Sequence, residues 1–408
     1  MLNIEKSNSV IISFVLSVVF VISILSKFSF LLSIQVAIFL ILTLLLMYIL
    51  SSHKIKLNIF IVSALFFLLF SCLSYINADF KTNVRDYLLV VASSLMAGFI
   101  FSPLSLEFKK KVFFVPVFIS LWLSMILFTR FVTNIHGFFY GDNFYDNIAL
   151  NINVIAGFLA LVYPLIFIFI KEQKNTKVFI ALMIFVLLAI FITRCRIAIL
   201  LSFVSTIIFL LGYRKNTYIK ILISFSIIAL IACIFYISFL KTGFNSISER
   251  LVWWKTAYLI FKENIFFGCG IGNYAVLFKT FRPELVLNTL FAHNIIMELL
   301  AEVGIFGLLS FIILIISFYI EFIKKVSEDE NIFFYIYIAI SVTSFLIINL
   351  FDYSFFAPAN MLMFFVIFSS MFFTEKIKMQ NWKNKLYFFI PIYILMVAFF
   401  IRPVIANT

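Results

Sequence analysis

Three short groups of residues in this 408-residue chain carry side chains that could do chemistry. The first is Arg194 and Arg196, in I-T-R-C-R-I-A-I-L-L. The second is Glu249-Arg250-Leu251-Val252-Trp253-Trp254-Lys255, with Tyr258, Phe261 and Lys262 after it. The third is Ala292-His293-Asn294, followed by Glu298 and Glu302. Arginine presents a planar fork that donates two parallel hydrogen bonds, which suits phosphate. An imidazole can accept a proton near physiological pH. Arg194 or Arg196, Arg250 and Arg282, with His293 beside them, would form a cationic pocket with one base. Such a pocket suits a phosphate-bearing lipid attacked by a hydroxyl.

Each group also has a plainer reading. Two arginines at a helix end can snorkel to lipid headgroups. Leu251, Trp254, Tyr258 and Phe261 recur at helical spacing, Lys255 and Lys262 lie on another face, and Ser248 is placed as an N-cap. That pattern reads as a short interfacial helix. It is either a passive anchor or a helix whose first turn lets Arg250 hold an anion. Gly268-Cys269-Gly270-Ile271-Gly272-Asn273 lacks the dinucleotide spacing, so its glycines mark a tight turn or a close backbone approach. His293 could equally be a helix cap or a headgroup contact. Glu298 and Glu302 share a helix face and need a partner or a proton, so one of them could orient His293 or pair with an arginine. No second histidine or cysteine stands at metal-ligand spacing, so no metal site is expected. Asp352 and Tyr353 receive no role. His53 and His136 read as solvated.

These groups need a scaffold, and composition says which kind. The chain is 64% hydrophobic, 19% aromatic and 12% charged, against about 45–50% apolar and about 25% charged in a soluble domain. The expected fold class is therefore all-α, a polytopic integral membrane protein. Spans of about 20 apolar residues fall near 9–26, 28–50, 57–76, 87–102, 112–132, 152–170, 177–193, 196–212, 219–240, 293–323, 331–351 and 356–373, with a shorter run at 386–401. The net charge of +13 lies in small clusters between spans, which is the pattern of the positive-inside rule and not of nucleic-acid binding. Lysine clusters such as Lys109-Lys110-Lys111 and Lys324-Lys325 alternate with cation-poor connections. That alternation places the long 241–292 loop outside, between transmembrane helices 1–240 and 293–408. The first apolar run shows no cleavage site, so it reads as a span and not a signal peptide. Cys72, Cys195, Cys233 and Cys269 show no metal spacing, and a Cys195–Cys269 disulfide is conceivable.

At these residues the chain resembles the O-antigen ligase / O-antigen polymerase superfamily of bacterial envelopes. T-R-C-R-I-A-I-L-L looks like the family's S/T-R-x-A-x-L helix start, with Arg196 as the matching arginine. R-L-V-W-W-K-T-A-Y through G-C-G-I-G-N-Y is similar to its R-x-x-x-W-x-x-A and glycine-rich run, although Asn264-Ile265-Phe266-Phe267 stands where a proline is usual. H-N-I-I-M-E-L-L-A-E-V-G-I-F-G-L is similar to its re-entry helix. The resemblance implies a metal- and cofactor-free enzyme of roughly twelve spans in the inner membrane. Its site would face the periplasm and take a glycan from undecaprenyl pyrophosphate. By the same resemblance Arg196 and Arg250 would hold the pyrophosphate, and His293 would deprotonate the acceptor hydroxyl. Arg194, Trp254, Arg282 and Glu302 are further candidates for substrate contact, with Glu302 matching by motif alone.

The favoured function is an O-antigen ligase with a lipid A–core acceptor. The alternatives are a polymerase using the same lipid-linked donor, or a flippase. The partners are then the donor, the acceptor and membrane lipids, with no nucleic acid.

Overall fold

A computed structural model describes residues 2–25, 32–55, 58–135, 138, 151–172, 176–213, 245–282, 288–328, 331–372 and 376–378. Among the described residues the secondary structure is helical apart from one antiparallel pair, β1 (His53–Ile55) with β2 (Lys376–Lys378). The helices are α1 (Leu2–Leu25), α2 (Leu32–Ser52), α3 (Ile59–Leu73), α4 (Lys81–Phe101), α5 (Leu106–Thr133), α6 (Ile152–Glu172) and α7 (Thr176–Ile192). They continue as α8 (Arg196–Tyr213), α9 (Asn245–Glu263), α10 (Tyr274–Phe281), α11 (Ile295–Glu328), α12 (Ile332–Ile348) and α13 (Pro358–Ser369).

Among the described residues, five helices are long and apolar enough to cross a membrane, and six more are shorter apolar helices. The protein is a polytopic, all-helical membrane protein. Eleven of the twelve expected spans thus have an apolar helix, with shifted ends; the twelfth, at 219–240, and the shorter run at 386–401 lie outside the described residues. The shortest apolar helix has a physical explanation. Every residue of the 12-residue α13 is buried, so it sits inside the bundle and has no lipid-facing stripe to maintain. It packs along α4, while α6 packs against α7 and α12, and α3 against α11. The end of α13 is capped from a distance. Buried Lys109 of α5 donates to the carbonyls of Ser370 at 3.2 Å and Phe372 at 2.9 Å.

A second, smaller apolar core lies apart from the main one. Ala257 and Ile260 of α9 meet Cys269, Tyr274 and Phe278, then Ala292 and Ala301. This core holds α9 and α10 on the first limb of α11. The apolar stripe read from sequence is not the one it buries. Leu251 and Tyr258 are exposed, while Thr256, Ala257 and Ile260 are buried and Trp253 is half-buried. An outward-facing stripe with Leu251 and Tyr258 exposed fits the interfacial helix expected of this segment.

The α11 helix breaks at Gly304, which takes φ 68° and ψ −170°. A broken helix leaves backbone groups without partners, and these are costly where water is scarce. The segment 265–270 satisfies them on both sides of the break. Cys269 and Gly270 donate to the carbonyls of Ala301 (3.0 Å) and Glu302 (2.9 Å). Beyond the break, Ile305 and Phe306 donate to Ile265 (2.9 Å) and Phe266 (3.4 Å). This clasp demands glycine. A Cβ on Gly268 would lie 2.4 Å from the Glu302 backbone, and one on Gly304 would lie 2.5 Å from Phe266.

Candidate active site

His293 stands just before α11, at the head of the small core. Asn294 caps the helix, its Oδ1 accepting from the amides of Ile296 (2.9 Å) and Met297 (3.1 Å). Glu298, one turn in, reaches back to accept from the Ala292 amide. Between these two fixed points His293 adopts φ 53°, a left-handed conformation that costs a non-glycine residue about 1 kcal/mol or more. Among the described residues only one other non-glycine has positive φ, and that is Arg194 at 57°, in the turn between α7 and α8. Two of the three sequence groups thus sit on strained backbone, as functional sites often do.

The imidazole is enclosed by aromatic rings and one acid. Trp253 of α9 stacks on it, with centroids 4.6 Å apart at 27°. Tyr353 meets it edge-on at 4.8 Å and stacks in turn on Phe291 at 4.8 Å and 8°. Asp352 Oδ1 faces His293 Nδ1 at 3.7 Å, with side chains 7% and 15% exposed. That distance is electrostatic contact, longer than a hydrogen bond. His293 Nδ1, both Asp352 oxygens and the indole nitrogens of Trp253 and Trp254 are all buried without a hydrogen-bond partner. Buried polar atoms in that state cost roughly 1–3 kcal/mol each, and such a cluster is a mark of function and not of stability.

The arginine seam lies close by. The Cys195 thiol is pushed up to about 12, chiefly by burial and then by Asp352, with Arg250 among the groups that oppose the shift. Cys195, flanked by Arg194 and Arg196, is therefore within electrostatic reach of both the acid beside His293 and the cation of α9. Arg196 opens α8 and is half-buried. Arg194 is exposed, with its guanidinium 4.4 Å above the ring of Phe138. Arg250 is half-buried one turn before Trp253 and Trp254, and Trp254 lies 6.5 Å from Phe351 between ring centroids.

Several sequence expectations change here. Ser248 is not the cap of α9. The helix begins at Asn245, so Arg250 sits in the second turn and gains little from the helix N-terminus. Neither Glu298 nor Glu302 orients the histidine. Both are nearly fully buried and accept backbone amides, Glu298 from Ala292 and Glu302 from Tyr274 at 3.1 Å. Glu302 thereby fastens the glycine turn to α11. Arg282 ends α10 and donates to Asn288 at 3.1 Å. Cys72, Cys195 and Cys269 are free thiols, so the conceivable Cys195–Cys269 disulfide is absent. Cys269 is held in the clasp and Cys195 in the seam. His136 lies outside the described residues. Trp253, Asp352 and Tyr353 were missed as partners of His293, and of the three only Trp253 carried a signal, as the neighbour of Trp254.

Residues 179–312, about a third of the chain, match a family model described as O-antigen ligase. The match takes in the arginine seam, α9, the glycine clasp and His293, and it stops short of Asp352. A search of curated proteins finds no match to the chain. The stretch that carries the strained histidine and the arginines is thus similar to the O-antigen ligase family, a likeness that does not separate ligases from polymerases.

Proposed function

We propose that the protein is an O-antigen ligase, moving a glycan from undecaprenyl pyrophosphate to lipid A–core at the periplasmic face of the inner membrane. The observation that carries this reading is the His293 cluster: a strained imidazole, faced by Asp352 at 3.7 Å and covered by Trp253, beside a seam of arginines. A base, an acid that orients it and cations for a leaving phosphate are the parts that glycosyl transfer from a pyrophosphate requires.

The acceptor hydroxyl attacks the anomeric carbon of the donor. His293 takes the hydroxyl proton as the new C–O bond forms. Asp352, facing Nδ1, favours the tautomer that leaves Nε2 free for that proton and stabilises the resulting imidazolium. The bond from the anomeric carbon to the phosphate oxygen breaks, and its electron pair stays with the phosphate. Arg196 and Arg250 stabilise the charge that develops there. The carrier leaves as polyprenyl pyrophosphate. Trp253, stacked on His293, and Trp254 beside it carry indole N–H donors that suit sugar and phosphate oxygens.

A strain lacking the protein tests this reading on a lipopolysaccharide gel. Bare core, with full-length polymer retained on the carrier, is expected. Core bearing one repeat unit would reassign the protein as a polymerase, and unchanged lipopolysaccharide would reject both.

A further inference from the structure

A cavity of about 250 Å³ with partly polar walls lies at the far end of α11 from His293. The α11 helix runs 34 residues from just past His293, roughly 50 Å of helix at about 1.5 Å per residue. Lys325, in its last turn, lines the cavity. Lys109 joins it from the first turn of α5, Asn331 and Tyr335 from the start of α12, and Ser370 to Phe372 from the end of α13. Four helix ends therefore meet around one polar space.

The walls are cationic. Lys109 is only 3% exposed, and its Nζ donates to the carbonyls of Ser370 and Phe372. Lys325 is half-buried, with its Nζ 5.6 Å from the centre of the Tyr335 ring. Capping α13 explains Lys109. It does not explain why a second ammonium lines the same cavity within electrostatic reach of the first. Two like charges at a partly buried site repel, and an anion between them turns that repulsion into two attractions. Among the described residues that line the cavity, none is acidic. Glu107, in the first turn of α5, is held by exposed Lys111 at 2.6 Å. The side chain of Ser105 makes no cap bond, so the positive end of α5 adds to the field beside Leu106 on the cavity wall.

We infer that this cavity binds a phosphate group, carried on an anionic phospholipid or free in solution. The site is separate from the His293 cluster and does not depend on the transfer chemistry. Its end of the bundle holds Lys109-Lys110-Lys111 and Lys324-Lys325, the clusters that charge alternation assigns to the cytoplasmic side. Basic pockets between helices on that side suit anionic headgroups. At about 30 Å³ per water the cavity has the volume of roughly eight waters, which is room for a phosphate ester. A bound phosphate would tie α5, α11, α12 and α13 together and so favour the folded state as its concentration rises.

Thermal unfolding of the delipidated protein in detergent, at constant ionic strength, tests this. The probes are dioctanoyl phosphatidylglycerol and inorganic phosphate, and the controls are dioctanoyl phosphatidylcholine and sodium chloride. A saturable rise of the midpoint with phosphatidylglycerol alone assigns the site to a lipid headgroup. A rise with inorganic phosphate assigns it to the phosphate group itself. Lys325→Gln, which leaves the Lys109 cap in place, should raise the apparent Kd at least about tenfold. Lys109→Met should do the same if it folds. Lys324→Gln removes an equal charge from a side chain 60% exposed and 4.0 Å from Glu321, and it should leave the Kd unchanged. No rise with either probe, an equal rise with phosphatidylcholine or chloride, or an unaltered Kd in Lys325→Gln overturns the inference.

Discussion

His293 and Asp352 face each other at 3.7 Å although 59 positions separate them in the chain (352 − 293). One precedes α11 and the other follows α12, so the hairpin of these two helices brings them together. The Ile295–Asn349 hydrogen bond of 2.7 Å ties the same two ends. The acid is nearly buried, and neither of its oxygens has a hydrogen-bond partner.

Asp352→Asn keeps the shape and removes the charge. Glycan transfer should fall by about 10²-fold while the protein accumulates normally in the membrane. His293→Ala should lose more, with donor binding retained. Transfer assays on purified protein, paired with binding of a lipid-linked donor, read both. A fully active Asp352→Asn would remove the acid from the mechanism.

Trp253 should matter more than the apolar stripe of α9 implies. Replacing it with Leu removes the ring stacked on His293, and aromatic stacking of this kind is worth about 1 kcal/mol. Transfer should drop at least about fivefold in Trp253→Leu and less in Trp253→Phe. Equal rates in the two variants would show that the ring face is not what counts.

The two seam arginines should separate. Arg196 is half-buried beside Cys195, whereas Arg194 is exposed over Phe138. Arg196→Ala should raise the donor KM by about tenfold or more, and Arg196→Lys should restore little of it, because the guanidinium fork is lost. Arg194→Ala should cost less than about threefold. The reverse order would move the phosphate site to the exposed side of the seam.

Cys195 should be inert to thiol reagents. Its thiol is pushed up to about 12, chiefly by burial and then by Asp352. Alkylation by iodoacetamide should be negligible at pH 8 in the folded protein and complete after denaturation. The sign also fixes a stability trend. Above about pH 8.5 the unfolded thiol ionises while the folded one does not. Cys195 therefore subtracts from stability progressively as pH rises toward 12. Rapid labelling of the folded protein at pH 8 would contradict the raised thiol, since Cys195 itself is only half-buried.

Gly268→Ala and Gly304→Ala should each lower the thermal midpoint in detergent, by an amount equivalent to about 2 kcal/mol or more. Both positions hold positive φ, and both face backbone that a methyl group would strike. An unaltered midpoint in both would mean that the clasp gives way easily.

Much of this was legible in the sequence, and the reason differs by residue. Long apolar runs and alternating lysine clusters report the bundle because lipid imposes both. Arg196, Arg250 and His293 stand out in the sequence because their types suit a phosphate and a proton. Asp352 was not. A single acid at the end of an apolar run has no spacing to anything, and its partner is set by the α11–α12 hairpin. Trp253 lies off the apolar stripe of α9, so helical periodicity gives it no weight beside Trp254. Glu298 and Glu302 looked like functional acids because acids in a span need a reason. Their reason is backbone amides, which sequence does not display.

The clasp at Gly304 has a consequence for how the outer segment behaves. Four main-chain hydrogen bonds join residues 265–270 to the two limbs of α11. Lifting the segment away would strip partners from both limbs at once, in surroundings with little water to replace them. The α9–α10 segment and the membrane helices should therefore melt in a single transition, and hydrogen exchange at Cys269 and Gly270 should be as slow as in the bundle. A segment anchored in that way is a fixed wall and not a lid.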